Sequence, residues 1–368
     1  MLSPVALVRV ASVAIAAVAA HGYEVARPGY EYDFPRDHFE HPAFPMEWWY
    51  YTGNLADSNG RRFGYELTFF RAALGSKAAA QSAWDLRQIY VAHFVLTDIQ
   101  GQRLIRRERA NRSGPGLAGA SAETGTIWNG NWSVEFELGA GPMPAQKLQA
   151  WDESAALEIL LEPTKPHVLH GTDGISRKGG EEGQASHYIS FTRMRTSGSL
   201  TIGDSVHAVQ GLSWMDHEFF GESMATGLVG WDWLSIQLED RTDLMIAGIR
   251  LADGRYSPYS HGTLVHPDGR TMHLASTDIQ LMPGRTWQSD ETGAEYPVEW
   301  TLRVNRVGLR LAVRPLHDAQ EIVSHAARMP TYWEGPVSYE GSRAGRPVTG
   351  SGYLEMTGYD GKLTLAGD

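Results

Sequence analysis

Carboxylates and a histidine lie among tryptophans and tyrosines in four short segments that have the pattern of β-strands. A strand directs successive side chains to opposite faces, so each such segment must point some polar group into apolar surroundings. Burying a carboxylate among aromatic rings is costly unless the carboxylate is paired or protonated. The pattern is therefore typical of a chain that lines a cavity with acid and base groups. The segments are Glu47-Trp48-Trp49-Tyr50-Tyr51, Trp214-Met215-Asp216-His217-Glu218, Trp231-Asp232-Trp233 and Tyr353-Leu354-Glu355.

The third segment divides into an aromatic face and an aliphatic face. Trp231, Trp233 and Gln237 share one face, and Asp232 lies among aliphatic residues on the other. If Asp232 points inward, burial raises the pKa of its carboxyl group. If the aromatic face points inward, the cavity has tryptophan walls and an amide donor at Gln237. A structural role also stays open, in which Asp232 only bonds to a neighbouring amide or arginine.

The second segment separates its ionisable groups in the same way. Asp216 and Glu218 share a face with Trp214, whereas His217 lies on the opposite, apolar face. These three ionisable residues cannot bind one metal ion from a regular strand, so we predict no metal site and no cofactor. His217 is either a core residue or an acid–base group. Acid–base chemistry and simple bracing of the fold are likewise both open for Glu47, Glu66, Glu334 and Glu355.

Several other functional classes are disfavoured by the sequence. The 368 residues include no cysteine, which excludes thiol catalysis and a disulfide framework. The chain has no Gly-x-Ser-x-Gly elbow and no glycine-rich phosphate loop. A net charge of −11 argues against nucleic acid or an anionic membrane surface as a partner. Acid–base chemistry and plain ligand binding remain.

The N-terminus predicts export. Residues 1–20 combine Arg9, an apolar stretch over Val10–Ala20, and small residues at its end, as in a secretory signal peptide. An uncleaved N-terminal anchor is the alternative. We expect a periplasmic or secreted protein with no stable membrane insertion after cleavage.

Short apolar runs alternate with hairpin dipeptides such as Asn59-Gly60, Asn129-Gly130 and Asp268-Gly269, which predicts an all-β protein. Residues 48–57 also align with 231–240, and 211–216 align with 350–355, although chance similarity between aromatic strands is an alternative. We therefore predict two tandem lipocalin-like antiparallel β-barrels packed together. The predicted divisions are a signal peptide at 1–20, an N-terminal extension at 21–39, a first barrel at 40–221 and a second at 228–366.

Six motifs, in order, resemble the AttH-like/carotenoid 1,2-hydratase family, and the likeness runs from Phe39 to Tyr359. They are Pro45–Gly53, Ala185–Tyr188, Ser213–Glu218, Gly230–Trp233, Tyr332–Gly335 and Gly352–Tyr359. The resemblance implies two calycin-like barrels and chemistry on an apolar molecule. Hydration of a terminal isoprenoid double bond is implied by the bacterial hydratases, and ring closure by fungal cyclases. It also implies, for exported bacterial members, association with an ABC permease of the lipoprotein-release type.

The resemblance also suggests roles for individual residues. Carried over by motif, Asp232 would protonate the alkene, Trp231 and Trp233 would stabilise the carbocation, and His217 would deprotonate the attacking water. The predicted catalytic residues are Asp232, His217, Asp216 and Glu47. The predicted substrate-binding residues are Trp48, Trp214, Trp231, Trp233, Gln237, Trp333, Tyr353 and Glu355.

Two functions are compatible with this sequence. The first is an exported enzyme that performs hydration, or another acid–base or cyclisation step, on an isoprenoid or lipid-like molecule. The second is a non-catalytic periplasmic carrier or accessory protein of an ABC permease. Whether the site lies inside one barrel or at the seam between the two is left open.

Overall fold

The computed structural model describes residues 22–74, 87–139, 141–221, 227–326 and 329–361. The predicted signal peptide at 1–20 and the last residues of the predicted second barrel, 362–366, lie outside the described residues. The described residues form 25 strands and three short 3₁₀ helices, at Arg36–His38, Ser276–Asp278 and Asn305–Val307. No helix within them is long and apolar enough to cross a membrane.

The first thirteen strands form one antiparallel sheet in the order β4-β3-β2-β1-β13-β12-β9-β8-β7-β6-β5, with β10 and β11 paired to β12. Their bounds are β1 Met46–Asp57, β2 Arg62–Ala73, β3 Gln88–Asp98, β4 Arg103–Arg112, β5 Ala118–Ser121, β6 Thr126–Asn129, β7 Trp132–Phe136, β8 Gln146–Trp151, β9 Ala155–Pro163, β10 Val168–Leu169, β11 Ile175–Arg177, β12 Ala185–Ile202 and β13 Ser205–Phe220.

The remaining strands form a second sheet in the order β17-β16-β15-β14-β25-β24-β22-β21-β18, with β23 paired to β24, and a separate β19-β20 hairpin. Their bounds are β14 Leu228–Leu238, β15 Asp243–Leu251, β16 His261–Val265, β17 Thr271–Ala275, β18 Ile279–Pro283, β19 Thr286–Gln288, β20 Glu295–Pro297, β21 Trp300–Val304, β22 Leu309–Pro315, β23 Glu321–Ile322, β24 Tyr332–Arg343 and β25 Arg346–Thr357. Both sheets are nearly closed and barrel-like, which confirms the predicted fold class.

The two sheets close in the same manner. In each, the first strand pairs with both the second strand and the last strand: β1 with β2 and β13, and β14 with β15 and β25. Tyr50 lies opposite Asp216 in the first sheet, and Trp233 lies opposite Glu355 in the second. These are the positions that the sequence alignment of the two halves made equivalent, so that correspondence is present in the topology.

Each barrel encloses its own apolar core, and a third apolar cluster joins the barrels. The first core includes Trp49 and Tyr51, and the second includes Leu234 and Trp333. The joining cluster combines two sets of residues. Tyr50, Tyr188 and Trp214 come from the first barrel, and Trp233, Met245, Ala247 and Tyr353 come from the second. Consequently both faces of the central strands are buried: one face points into a barrel and the other points at the neighbouring barrel.

Polar contacts fix the two barrels against each other. The Gln237 side-chain amide donates to the backbone oxygens of Thr192 and Ser213, at 2.8 and 3.0 Å. The buried Asp243 carboxylate of the second barrel accepts from Lys165 at 2.6 Å and from the Nε of Arg193 at 2.9 Å, both in the first. Buried, fully bonded groups of this kind hold one arrangement, because a shift would leave charges unpaired.

Candidate active site

A cavity lies at the seam between the barrels, bounded by the outward faces of β1, β2, β12 and β13 on one side and of β14, β15, β24 and β25 on the other. About 100 Å³ of it is open to water-sized molecules. Its apolar walls are formed by Met46, Trp48, Phe70, Phe220, Leu228, Trp231, Trp233, Ile249 and Met329. The cavity therefore lies at the seam between the barrels, which is one of the two locations that the sequence left open for the site.

Five carboxyl groups line this apolar cavity: Glu66, Asp216, Glu218, Glu334 and Glu355. Strand alternation delivers them, since each lies on the outward face of its strand and the residues next to it point into a barrel core. Such a concentration of like-charged groups in apolar surroundings disfavours full ionisation, because each negative charge raises the cost of the next.

Glu66 and Glu334 each keep one oxygen atom without a partner. The Oε1 of Glu66 accepts from the Tyr332 hydroxyl at 2.7 Å and from the Thr68 hydroxyl at 3.0 Å. The Oε1 of Glu334 accepts from the Tyr50 hydroxyl. The Oε2 atoms of both carboxyls are buried and have no hydrogen-bond partner among the residues that the structure describes. A buried polar atom left unbonded is costly, so these two oxygens mark where a ligand, a water or a proton belongs.

Burial and mutual repulsion raise the pKa values of the carboxyls around these oxygens. Burial raises the pKa of Glu66, and burial together with the charges of Glu66 and Glu355 raises the pKa of Glu334 well above its ordinary value. Burial and the charge of Glu66 raise the pKa of Glu355 to about 8, although the Trp231 indole donates to this carboxyl at 3.0 Å. These carboxyls therefore favour the protonated form more than ordinary glutamates do, and a pKa of about 8 makes Glu355 mostly protonated at neutral pH.

Several side chains donate hydrogen bonds to the carboxyl group of Asp216, and these bonds oppose the effect of burial on its pKa. The Tyr188 hydroxyl and the Trp214 indole donate to its carboxyl group, each at 2.7 Å, and the Ser190 hydroxyl also donates. Burial raises the pKa of Asp216 to about 7 against the hydrogen bonds from these three side chains. The Tyr188 hydroxyl accepts from the Trp233 indole at 2.9 Å, which ties the bonding of Asp216 to the second barrel. A carboxyl that titrates near neutral pH can act as either acid or base.

A lysine lies at the remaining carboxyl of the cavity. The Lys178 ammonium group is 3.2 Å from the Oε2 of Glu218, and 5.4 Å from the centre of the Tyr188 ring. Glu218 also accepts from the Ser186 hydroxyl. Glu218 is thus paired with a cation, whereas hydroxyl groups of the described residues donate to Glu66 and Glu334.

The structure places five of the residues predicted from the sequence in the cavity wall: Trp48, Asp216, Trp231, Trp233 and Glu355. Three more lie in the interface behind the wall. Of these, Trp214 bonds Asp216, Tyr353 belongs to the joining apolar cluster, and Gln237 braces the two barrels. Trp333 lies in the core of the second barrel, where its indole donates to the backbone oxygen of Asp318 at 2.7 Å.

Asp232 lies inside the second barrel rather than in the cavity. Its carboxyl group accepts from the hydroxyls of Tyr256 and Tyr359, at 2.6 and 2.9 Å, and the Arg250 guanidinium is 3.3 Å away. Burial raises the pKa of Asp232, and the charge of Arg250 opposes that rise. This is the bracing arrangement that the sequence left open for Asp232.

His217 and Glu47 lie inside the first barrel. The Nε2 of His217 is 2.8 Å from the Oε1 of Glu47, the Nδ1 of His41 is 2.7 Å from the same oxygen, and the Nε of Arg71 donates to the Oε2 of Glu47 at 2.9 Å. Burial alone would raise the pKa of Glu47, but the charges of Arg71 and His41 hold it well below its usual range. The structure therefore does not bring His217 and Asp232 together, contrary to the expectation of one shared site.

The side chains of His41, Glu47 and His217 also form a group of potential metal ligands, with ligand atoms within 4.8 Å of one another. The residues around them fit a metal ion poorly. The Oε2 of Glu47 already accepts from the His41 backbone amide and from the Nε of Arg71, and a metal cation would be placed beside the buried Arg71 guanidinium. The group fits a structural ion-pair network instead.

Sequence reasoning missed the tyrosines that bond the cavity acids, and left Glu66 and Glu334 undecided. Tyr50 belongs to the first of the four segments, but the residue predicted there to be catalytic was Glu47, which lies on the opposite face of the strand. A signal existed for Tyr50, since it shares a strand face with Trp48. Tyr332 begins one of the six family motifs, but no signal pointed to its bond with Glu66, which joins residues 266 positions apart.

Comparisons with known proteins agree with this architecture. A family model described as AttH-like matches residues 25–359. The crystal structure of NE1406 from Nitrosomonas europaea, described as an AttH candidate, is 31% identical with a TM-score of 0.80, covering 91% of this chain and 99% of that one.

Two fungal proteins are more distantly similar in sequence. Kievitone hydratase from Fusarium solani is 22% identical over 223 residues, which is 60% of this chain and 61% of that protein. The dehydratase asqC from Emericella nidulans is 21% identical over 217 residues, which is 57% of this chain and 60% of that protein. The matched regions thus span about three fifths of the length of each fungal relative.

Proposed function

The chain belongs to the AttH-like family, and from that premise we propose that it is a hydro-lyase, adding water to or removing water from an apolar molecule held between the two barrels. One observation carries the proposal: five carboxyl groups converge on an apolar cavity, and two of them present buried oxygens to which no described residue bonds. Relatives named as a hydratase and a dehydratase are consistent with it, since the two names describe the two directions of one reaction.

The proton donor in this proposal is the pair of carboxyls formed by Glu66 and Glu334. Protonating an alkene carbon needs a carboxyl that still carries its proton at neutral pH and lies against the substrate without intervening water, and a desolvated carboxylic acid meets that need. Burial, with the charge of Glu66, keeps the pKa of Glu334 well above its ordinary value. The pair therefore retains a proton at neutral pH, and the free Oε2 atoms are the positions from which it can be delivered.

The carbocation formed by that transfer needs stabilisation and a water molecule. The faces of Trp231 and Trp233 wall the cavity and attract a cation through their π-electrons. Asp216 then accepts a proton from the attacking water, as its pKa of about 7 allows. In balance, the carbon gains a proton from the Glu66–Glu334 pair, the neighbouring carbon gains hydroxyl from water, and Asp216 gains the other proton. Dehydration is the same sequence reversed.

A carrier is the second candidate. The apolar walls would suit a bound lipid-like molecule equally well, and in that case the carboxyls would only hydrogen-bond to its polar end. Export to the periplasm or secretion, and association with an ABC permease, belong to this proposal as expectations from the N-terminal sequence and the family resemblance. The raised pKa of Glu334 favours the enzyme, because a retained proton serves catalysis and is not needed for binding alone.

The test is incorporation of heavy-oxygen water. The protein is incubated in that water with kievitone, and separately with the apolar extract of its own host, and products are analysed by mass spectrometry. We expect a compound that gains one labelled water with the natural protein and not with Glu334→Gln, while His207→Ala, far from the cavity, behaves as the natural protein does. A co-purifying ligand that stays chemically unchanged, with equal binding to both proteins, would support the carrier instead.

A further inference from the structure

A hydrogen-bonded chain of side chains leads from the cavity to the protein surface, and we propose that it is a proton relay that recharges Glu66 from solvent. Its members are Glu66, Tyr332, His93 and Glu108. The Tyr332 hydroxyl lies 2.7 Å from the Oε1 of Glu66 and 2.6 Å from the Nδ1 of His93, and the Nε2 of His93 lies 3.0 Å from the Oε2 of Glu108. The inference rests on the proposed function, for which Glu66 must be a proton donor in each cycle.

The chain runs from fully buried to partly exposed. Glu66, Tyr332 and His93 are 1%, 3% and 1% exposed, whereas the Glu108 side chain is 21% exposed. Burial alone would raise the pKa of Glu108, but hydrogen bonds from His93 and Ser324 lower it to about 2. The Glu108 carboxylate lies at one ring nitrogen of His93, and the Tyr332 hydroxyl, which donates to Glu66, lies at the other, so both partners can accept a proton from the ring.

The sheet register places this chain with the catalytic groups. Across the outward face of the first barrel, Glu108 lies opposite His93, His93 opposite Thr68, and Thr68 opposite Tyr50. Tyr50 in turn lies opposite Asp216. One polar row therefore crosses five neighbouring strands, from the surface at β4 to the acid of the cavity at β13. Directly opposed side chains of an antiparallel sheet lie within contact, so the row is a consequence of register alone.

The proton transfer needs no movement of heavy atoms. The Nδ1 proton of the charged His93 passes to the Tyr332 oxygen while the Tyr332 hydroxyl proton passes to the Oε1 of Glu66. The result is a neutral imidazole and a protonated Glu66, so charge and protons balance. The neutral ring keeps its Nε2 proton, so Nδ1 is the nitrogen that must be protonated again. Rotation of the His93 side chain that turns Nδ1 towards the partly exposed Glu108 lets solvent return a proton to Nδ1, and the reverse rotation restores the starting arrangement.

A relay is needed because of what the cavity contains during the reaction. An apolar molecule that fills the space between the barrels excludes bulk water from Glu66. Once Glu66 has given up its proton, it must therefore be reprotonated through the protein rather than from the cavity. Asp216 has a comparable chain through Ser190 and His170, but it leads to the buried Thr263 hydroxyl, 2.9 Å from the His170 ring. Of these two chains, the one at Glu66 reaches a partly exposed group.

The experiment follows protonation of Glu66 directly and requires no substrate. Time-resolved infrared spectroscopy records the protonated-carboxyl band after a laser-triggered release of protons, in buffer saturated with n-decane to occupy the cavity. The band of Glu66 is identified by its absence in Glu66→Gln. The variants are His93→Ala, which opens a space beside Tyr332, and Tyr332→Phe, which keeps the ring and removes only the hydroxyl. His207→Ala is the matched control, since it removes a histidine that bonds a carboxylate, Asp57, at 3.1 Å elsewhere.

We expect protonation of Glu66 to slow by about 100-fold in both relay variants, the lower end of what a positioned proton donor contributes. Added imidazole should restore the rate in His93→Ala and leave Tyr332→Phe slow, and His207→Ala should match the natural protein. Natural rates in either relay variant would overturn the proposal. So would a slowed His93→Ala that imidazole does not restore, because a merely structural role predicts that result. Absence of hydration activity would contradict the proposed function and would leave the outcome of this measurement unaffected.

Discussion

Two buried carboxylate sites in this protein differ in the charge of their partners, and that difference separates structure from chemistry. Inside the first barrel, Glu47 contacts an arginine and two histidines, and both its oxygens are bonded. In the cavity, Glu66 and Glu334 are bonded by hydroxyl groups, and one oxygen of each has no partner within the described part of the chain. Burial alone would raise the pKa of the carboxyls at both sites. At Glu47 the charges of the cationic partners lower the pKa instead, whereas at Glu334 the pKa stays raised because its partner is neutral.

The largest expected effect is the loss of stability when the paired site is broken. Arg71→Met should lower the free energy of unfolding by roughly 3–5 kcal/mol, because the fully buried Glu47 is left without its cation. Denaturant unfolding measures this. Arg195→Met is the control, since Arg195 pairs with Glu162 at the surface, where such a pair contributes roughly 1 kcal/mol or less. Equal losses in both variants would show that the buried Arg71–Glu47 pair contributes no more to stability than the surface pair does.

Next in size is the loss of turnover when the cavity acid is neutralised. Glu334→Gln should lower turnover by about 100-fold or more, because the amide cannot donate a proton as a carboxylic acid does. Its free energy of unfolding should be unchanged or higher, since an uncompensated carboxyl is removed. The comparison with Arg71→Met would fail if Glu334→Gln destabilised the fold as strongly, which would mark Glu334 as structural.

The two sites should also give opposite dependences of stability on pH. The pKa of Glu355 is raised to about 8, so the folded state holds this proton where the unfolded chain has lost it, and stability falls as pH rises from about 4.5 to 8. The pKa of Glu47 is lowered, so its stabilisation is lost only as pH falls below the ordinary value for a glutamate. In Glu355→Gln the fall in unfolding free energy between about pH 5 and 8 should be less steep by up to one proton, while the part due to the other raised carboxyls, such as Asp216, remains. An unchanged slope in that variant would show that Glu355 ionises normally.

The smallest effect concerns a single neutral partner. Trp231→Phe removes the indole that donates to Glu355 and should therefore raise the pKa of that carboxyl further. Loss of one hydrogen bond should cost about 1 kcal/mol of stability. Carboxyl-carbon NMR titration of the natural protein and the variant measures the shift. A lower pKa in the variant would mean that cavity solvation outweighs the indole bond.

Much of the fold could be predicted from the sequence, because alternation and hairpin dipeptides are local. The alignment of 48–57 with 231–240 identified strands that close their sheets in the same way. Strand alternation also correctly predicted that Asp216 and Glu218 share one face of their strand and that His217 lies on the other. The predicted signal peptide and domain limits stay predictions, as do export and the permease partner.

The site was only partly predictable, for a physical reason. When two barrels pack face to face, both faces of the central strands are buried, so alternation cannot tell which face is a core and which is a cavity wall. Asp232 and His217 satisfied every local criterion for a buried acid and base, yet each lies in a barrel interior with its own partners. Which carboxyl receives a cation depends on residues distant in sequence, such as Arg250 for Asp232.

The central claim is that a cavity carboxyl stays protonated at neutral pH. Infrared spectra of the protein at pH 7 test it directly, with the band of Glu334 assigned by its loss in Glu334→Gln. We predict a protonated-carboxyl band of Glu334 at pH 7, in keeping with the raised pKa of Glu334 that burial and the charges of Glu66 and Glu355 produce. A Glu334 that is fully ionised at pH 7 and titrates near the ordinary value for a glutamate would contradict it.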